Sequence, residues 1–469
     1  MDEQAQRHSL WVATTPDFPE YPPLNGDAAA DVLVIGGGMT GLQTAYLLKL
    51  AGLSVILVER HRLARGTSGH TTAKVTALHG LTYDHLTRTF GREAAQVYAA
   101  ANVAALDDIV GIVRRETIGC GLERSAACTY ATTDDERARV EREVRAAQEA
   151  GLTVEFRDDL PLPYETLGGA WLEGQASLHP VRYLKALAEL VHGGGCRVHE
   201  MTTALDLDEA AALVRTDRGV IRAQHVVVAT HVPIFDHGPL SMRLMARRSY
   251  VVAAPLPDPL AGMYISASGN HRSVRTQEID GQQWTITNGE PHRTGEGGDE
   301  RERYLRIRGW TDDRFVLGQR YYDWATQDVF TVDDLPFIGR YRKEDARVLI
   351  ATGFKGWGMA HSMVAARIIS DAVQRKDNDW AGLYDPWDRS FTKGAGALFS
   401  QAAESIKALV IDKLISGDPA CTHMGCTTKW NEAERSWDCP CHGSRFDEHG
   451  EVLNGPAIRA LKSPPAAGG

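Results

Sequence analysis

Asp31-Val32-Leu33-Val34-Ile35 is a continuous apolar run that stops at glycine, the pattern of a parallel strand buried on both faces. After Gly36–Gly41, the positions Leu42, Ala45 and Leu48 fall on one helical face, and Ala51-Gly52 ends the helix. Ser54 to Val58 reads as a second strand, closed by Glu59. Residues 92–116, 134–150 and 180–191 also carry helical spacing. The charged character of 134–150 marks a mostly solvated face. His225 to Thr230 ends a further strand. The stretch 246–330, rich in Tyr, Trp, Thr and Val with scattered Gly, predicts an antiparallel sheet. Arg347 to Ala351 predicts another buried strand, followed by a glycine-rich turn and a helix through about Val373. Residues 377–400 read as a linker and 401–415 as weakly helical. Arg435–Asp438 and Arg445–Leu453 read as strands.

Size and charge narrow the picture. The chain has 469 residues, enough for about three domains. Acidic residues outnumber basic ones 61 to 51, a formal charge of −10, so no basic footprint for nucleic acid is expected. No run of 18 apolar residues occurs, and no membrane span is expected. The N-terminal stretch lacks a secretory pattern, so a cytoplasmic protein is expected. Of seven cysteines, Cys120, Cys128 and Cys196 stand alone and read as buried thiols, whereas Cys421, Cys426, Cys439 and Cys441 crowd together. Clustered Cys and His in such a chain suggest metal or redox chemistry.

Gly36, Gly38 and Gly41 have G-x-G-x-x-G spacing, follow a strand and open a helix, and Glu59 comes 18 residues after Gly41. This is the context of a dinucleotide fingerprint: a tight turn at Gly36, close approach of backbone to pyrophosphate at Gly38, and helix–sheet packing at Gly41. The helix N-terminus offers free N–H groups to phosphate, and Glu59 can accept from a ribose hydroxyl. The motif alone does not choose between NAD and FAD. The chain resembles the FAD-dependent oxidoreductases of the D-amino-acid oxidase and glycine oxidase superfamily. The resemblance rests on Gly66-Thr67-Ser68-Gly69-His70-Thr71-Thr72-Ala73-Lys74, Val228-Ala229-Thr230, Asp334-Leu335-Pro336-Phe337-Ile338-Gly339 and Ala351 to Met359, and covers roughly residues 9–390. It implies FAD contacts at Gly36, Gly38, Met39, Thr40, Gly41, Glu59, Arg60, Thr67, Ser68, Thr71, Thr72, Ala229, Gly353, Gly356, Trp357, Gly358 and Met359.

Cys421-Thr422-His423 and Cys439-Pro440-Cys441-His442 supply two thiolates and two imidazoles. From the residues alone, this set fits a Rieske [2Fe–2S] centre, with a zinc site and a degenerate, metal-free remnant as the open alternatives. The two strings resemble the Rieske domains of cytochrome bc complexes. The resemblance implies that Cys421 and Cys439 hold one iron and His423 and His442 the other. It also implies a Cys426–Cys441 disulfide joining the two loops. Ser444 is expected to donate to a cluster sulfur. Phe446 stands where the respiratory type usually has a tyrosine, so a lower potential is expected. Little strand-like material precedes Cys421, so the module reads as truncated.

The expected fold is α/β and α+β. A Rossmann-like FAD-binding domain (28–90, 168–240, 320–385) interleaves with an antiparallel-sheet substrate domain (91–167, 241–319). A linker or helix (386–420) then leads to a small all-β Rieske module (421–462). Flavin amine oxidation requires no side-chain base. Arg275 (for a substrate carboxylate), Tyr250, His292 and Lys74 are weak catalytic candidates. The string Gly174 to Leu184 resembles a subgroup that joins this flavin fold to a Rieske module. The expected function is oxidation of a small amine or amino acid, with electrons passing from FAD to the cluster and on to an unidentified acceptor. The alternatives are a simple flavin oxidase using O₂ with a vestigial cluster domain, and a redox-sensing or electron-transfer protein without an organic substrate.

Overall fold

The computed structural model describes residues 5, 6, 9–236, 238, 240–296, 298–319, 321–388 and 418–462. The helix expected over 401–415 lies outside them. The strand Ala28–Ile35 is fully buried over its last four residues and sits inside an eight-stranded sheet. It pairs in parallel with Val55–Val58 on one side and Val220–Val228 on the other. Asp345–Thr352 continues the parallel set beyond Val220–Val228. Their buried ends, 32–35, 55–58, 226–228 and 348–351, are continuous runs of Val, Ile, Leu and Ala, as burial on both faces requires. The helix Met39–Leu50 lies against the helices Pro180–Val191 and Gly358–Val373.

A second, ten-stranded sheet is antiparallel through its centre, where Tyr321–Thr331, Leu244–Pro255, Gln282–Arg293 and Ser273–Ile279 pair in order. Three of its strands, Lys74–Val75, Gly169–Ser177 and Tyr321–Thr331, fall in ranges that the sequence reading gave to the nucleotide-binding part. Alternating apolar residues identify a strand but not which sheet completes it, and here hydrogen bonding to Glu123–Tyr130 and Leu244–Pro255 decides. The helix Glu300–Asp312, within the stretch read as all sheet, packs on Leu244–Pro255 and Gln282–Arg293.

Among the described residues, one helix, Arg92–Arg115, is long and apolar enough to cross a membrane. Its Tyr98, Ala101, Ala105, Leu106, Ile109 and Val113 are buried in the core, so its apolar face is already used within the protein. Cys120, Cys128 and Cys196 are buried thiols, as expected.

The C-terminal module is a four-stranded antiparallel sheet of Lys429–Asn431, Ser436–Asp438, Arg445–Asp447 and Val452–Asn454. Phe446, Trp437, Val452 and the cysteines form its small core.

Candidate functional site

The glycine turn works by what it lacks. Gly36 has φ +111°, and a Cβ there would stand 2.5 Å from Ala229 O. A Cβ at Gly41 would stand 1.9 Å from Gly36 O, so the helix can pack on the turn only without a side chain. Ser68 Oγ accepts from Met39 N at 2.9 Å, and Glu59 accepts from Gly37 N at 2.8 Å and His61 N at 2.9 Å. The loops after both strands are therefore tied to the turn. Gly353 supports the site from behind: its φ is +79°, and a Cβ would stand 2.4 Å from Thr331 Cγ2.

One cavity of about 1340 Å³ begins at this turn. It exceeds the roughly 300–1,000 Å³ of ordinary ligand pockets, leaving room for a dinucleotide and a small substrate. Gly36, Gly38, Met39, Thr40, Glu59, Arg60, Thr67, Ser68, Thr71, Thr72, Ala229, Gly356, Trp357, Gly358 and Met359 line it. Gly41 and Gly353 do not line the cavity; they brace its wall.

Of the four catalytic candidates, only Lys74 lines the cavity. Its Nζ donates to Ser273 Oγ and lies 5.6 Å from the Trp357 ring centroid. It makes no ion pair among the described residues, and burial, then Arg275, pushes it down to about 7. Arg275 is fully buried away from the cavity and donates to Thr72 O at 2.6 Å and Gln277 Oε1 at 2.8 Å. It anchors the Thr71-Thr72 loop and is not available to a substrate carboxylate. Tyr250 and His292 also lie outside the cavity; their side chains bond each other at 3.0 Å, with Tyr304 packed on the Tyr250 ring. All three candidates were polar residues in a sheet, and the sequence does not say which sheet face meets the cavity.

Sequence reasoning missed His79 and Asp328, both in the wall. The His79 ring stacks on Trp357 at 4.5 Å and is fixed by Tyr98 Oη at 2.6 Å and Thr76 O at 2.7 Å. Burial, reinforced by His361, holds His79 well below the ordinary histidine range, so the ring is neutral. Burial raises Asp328 to about 6 against the opposing Gly356 N–H. No motif marks either residue.

At the C-terminal module, the four expected ligands converge. Cys421 and Cys439 are buried free thiols in mutual hydrogen-bond contact, which lowers the Cys421 thiol. The His423 and His442 rings are 5.1 Å apart and nearly perpendicular. His442 Nδ1 is buried without a hydrogen-bond partner, as a nitrogen reserved for a metal would be. The sulfurs of Cys426, Cys439 and Cys441 lie within 4.8 Å of one another, but Cys426 and Cys441 are joined to each other as a disulfide and are not free to ligate. The Ser444 hydroxyl bonds the Cys421 sulfur and accepts from Ala457 N at 3.0 Å.

The family pattern "FAD dependent oxidoreductase" matches residues 31–372, and "Rieske [2Fe-2S] domain" matches 402–465. The chain belongs to the FAD dependent oxidoreductase family and carries a Rieske domain. YhfW of Bacillus subtilis (strain 168), named as a Rieske 2Fe-2S iron-sulfur protein, is 35% identical over 97% of both chains. Gamma-glutamylputrescine oxidoreductase of Escherichia coli (strain K12) is 23% identical over 78% of this chain and 88% of its own length. Among solved structures, the L-amino acid deaminase of Proteus vulgaris superposes with a TM-score of 0.64 at 17% identity, covering 82% of this chain and 100% of that one. This last likeness concerns the fold.

This oxidoreductase therefore uses FAD and a [2Fe–2S] cluster, and its residues fit both. The glycine turn and the Met39–Leu50 helix start can take the pyrophosphate. Glu59 is at hand for a ribose, although Gly37 N and His61 N already occupy part of its carboxylate. Cys421, Cys439, His423 and His442 supply a Cys₂His₂ set.

The Rieske module is seated on the oxidoreductase. Glu434 is held by Arg248 and by Arg445, the latter at 2.7 Å. Burial opposes ionisation of Glu434, but Arg248 and Arg445 outweigh it and hold the carboxyl at about 2. The second cluster loop packs closely, since a Cβ at Gly443 would stand 2.2 Å from Ala246 Cβ. Gln327 Nε2 donates to Gly443 O at 2.9 Å, and Thr67 Oγ1 donates to Gln327 O at 3.0 Å.

Proposed function

We propose that the protein oxidises a small amine or amino acid and passes the electrons from FAD to its own Rieske cluster. The observation that carries this reading is Gln327. Through its main chain it holds Thr67 of the flavin loop, and through its side chain it holds Gly443, next to the ligand His442. One strand thus buttresses both cofactor sites. When bound, FAD accepts a hydride equivalent and the cluster carries single electrons, which together split a two-electron oxidation into one-electron exits. The oxidoreductase named for gamma-glutamylputrescine supports an amine, and the fold shared with an amino acid deaminase is compatible with it.

In this reading, Trp357, locked by His79, walls the substrate side of the cavity. Lys74 Nζ takes the proton of the substrate ammonium, and its depressed value of about 7 suits that task. The rate of anaerobic flavin reduction is then expected to rise with pH through about 7. Lys74→Met is expected to lose both that rise and on the order of 10²–10⁴ in rate.

The test is anaerobic mixing with candidate amines and amino acids, followed by optical and EPR spectra of the same sample. Flavin bleaching together with a Rieske-type signal is the expected result. Bleaching without a cluster signal, with peroxide formed equally well by Cys421→Ser, would replace the reading with a simple oxidase.

A further inference from the structure

The chain carries a formal charge of −10, yet part of the cavity wall is cationic. Arg139 and Arg142, one turn apart on the helix Asp134–Glu149, line it together with Arg247 of the strand Leu244–Pro255 and His271 of the turn before Ser273–Ile279. None of the three arginines makes an ion pair among the described residues. The nearby wall carboxylates are engaged: Asp84 by Arg88 at 3.0 Å, and Asp334 by Lys355 at 2.8 Å. The charged groups acting on the His271 imidazole are Lys355, Arg247 and Arg139, all positive. The Arg247 guanidinium is steadied 5.0 Å over the Phe330 ring.

Two separate elements, the helix Asp134–Glu149 and the strand Leu244–Pro255, therefore bring unpaired cations to one side of a cavity in an acidic protein. Mutual repulsion opposes such an arrangement unless an anion joins it. The pyrophosphate of FAD does not account for it, because that group has its own seat at the glycine turn on the other sheet. We propose that the substrate carries a second, anionic group, a carboxylate or a phosphate, remote from the oxidised amine, which Arg139 and Arg247 bind with help from Arg142 and His271. This deepens the amine-oxidation reading and rests on it for the identity of the reacting end. An acidic protein acceptor docking on the same cations is the competing occupant, but Arg139 and Arg247, half-buried in the cavity wall, favour a small molecule.

The experiment uses the holoenzyme and two arms. In the first, flavin absorbance is titrated with glutarate and, separately, with inorganic phosphate, neither of which can be oxidised as an amine. In the second, KM and kcat are measured for amines bearing a distal carboxylate or phosphate and for their uncharged amide or alcohol counterparts. Saturable spectral shifts are expected, stronger for whichever anion matches the substrate. Arg139→Gln and Arg247→Gln are each expected to weaken anion binding at least tenfold. They should raise KM for the charged amine relative to its neutral counterpart by a similar factor, and Arg139→Lys should recover most of it. Equal KM for charged and neutral amines, or anion binding that is the same in the Gln variants and the wild type, overturns the proposal. Arginine-dependent anion binding with no amine able to bleach the flavin leaves the anion site standing and removes the amine reading. Competition by an acidic protein without any shift from glutarate or phosphate assigns the cations to a partner and overturns the small-molecule site.

Discussion

At Gly36 and Gly41 an added Cβ would stand 2.5 Å from Ala229 O and 1.9 Å from Gly36 O, so the flavin end of the molecule is shaped by absent side chains. At the cluster end, Cys421, Cys439, His423 and His442 crowd theirs together, and His442 Nδ1 is left buried and unbonded. The first site draws on backbone N–H groups, a helix start and a large parallel sheet, and so belongs to a core that exists without ligand. The second rests on four short strands with a small core, drawn together by a disulfide. The Rieske match spans 64 residues, 402–465, and below about 70–80 residues a single core is a weak hold on its own, so the cluster and the seat on the oxidoreductase share the task of holding the module. The two sites should consequently fail in different ways.

The largest expected effect separates them completely. Cys421→Ser and His442→Ala each remove an iron ligand. Iron should fall from about two per chain to near zero, with loss of the Rieske EPR signal, while flavin per chain is retained. Iron, sulfide and flavin analysis of anaerobically purified protein checks this. Loss of both cofactors from a cluster-ligand variant would mean that the flavin site depends on the module, and the contrast would break. The reciprocal change, Gly41→Ala, forces a methyl against a main-chain carbonyl that cannot yield. It should cost about 1–3 kcal/mol or more and empty the flavin site, with iron retained.

The sequence reveals the two sites better than it reveals what joins them, and for a physical reason. Both sets of candidate residues lie in short local strings whose spacing is fixed by the chemistry of one ligand, so Gly36, Gly38, Cys421, His423, Cys439 and His442 can be put forward from the sequence. What joins the sites is not local. Arg248 meets Glu434 across 186 residues, and Gln327 meets Gly443 across 116. The same blindness left Gly169–Ser177 inside the range given to the nucleotide-binding part although it pairs in the second sheet, since alternation fixes a strand's faces and not its neighbours. It also put Arg275, Tyr250 and His292 forward as candidates, although their partners are all internal.

The seat of the module offers a sharper test of the contrast. Glu434→Gln leaves the Arg248 guanidinium, 1% exposed, without its counter-charge. Removing one partner of a buried pair costs about 3–5 kcal/mol, here expressed as loosened docking and faster loss of the cluster. In the wild type, the Glu434 carboxyl sits at about 2 when folded against an ordinary 4.5. Its contribution is therefore complete above about pH 4.5 and is lost as pH falls from there toward 2. Melting followed from pH 6 to pH 3 should fall more steeply in the wild type than in Glu434→Gln. Parallel profiles would show that the ion pair does not hold the module.

The smallest effect concerns tuning within the cluster site. The Ser444 hydroxyl donates to the Cys421 sulfur while accepting from Ala457 N. A hydrogen bond to a ligating sulfur favours the reduced, more negative centre, so Ser444→Ala should lower the potential. One hydrogen bond is worth about 1 kcal/mol, and for a one-electron couple that is on the order of 40 mV. Phe446, fully buried on the strand that follows, has no hydroxyl to add a second such bond. Phe446→Tyr is accordingly expected to raise the potential by a comparable amount if its hydroxyl reaches the cluster sulfurs, and to destabilise the small core if it does not. A redox titration of the EPR signal, set beside the melting temperature, separates these outcomes. An unchanged potential in Ser444→Ala would mean that the cluster's environment is set by the oxidoreductase surface against which the module is seated, and not by its own loop.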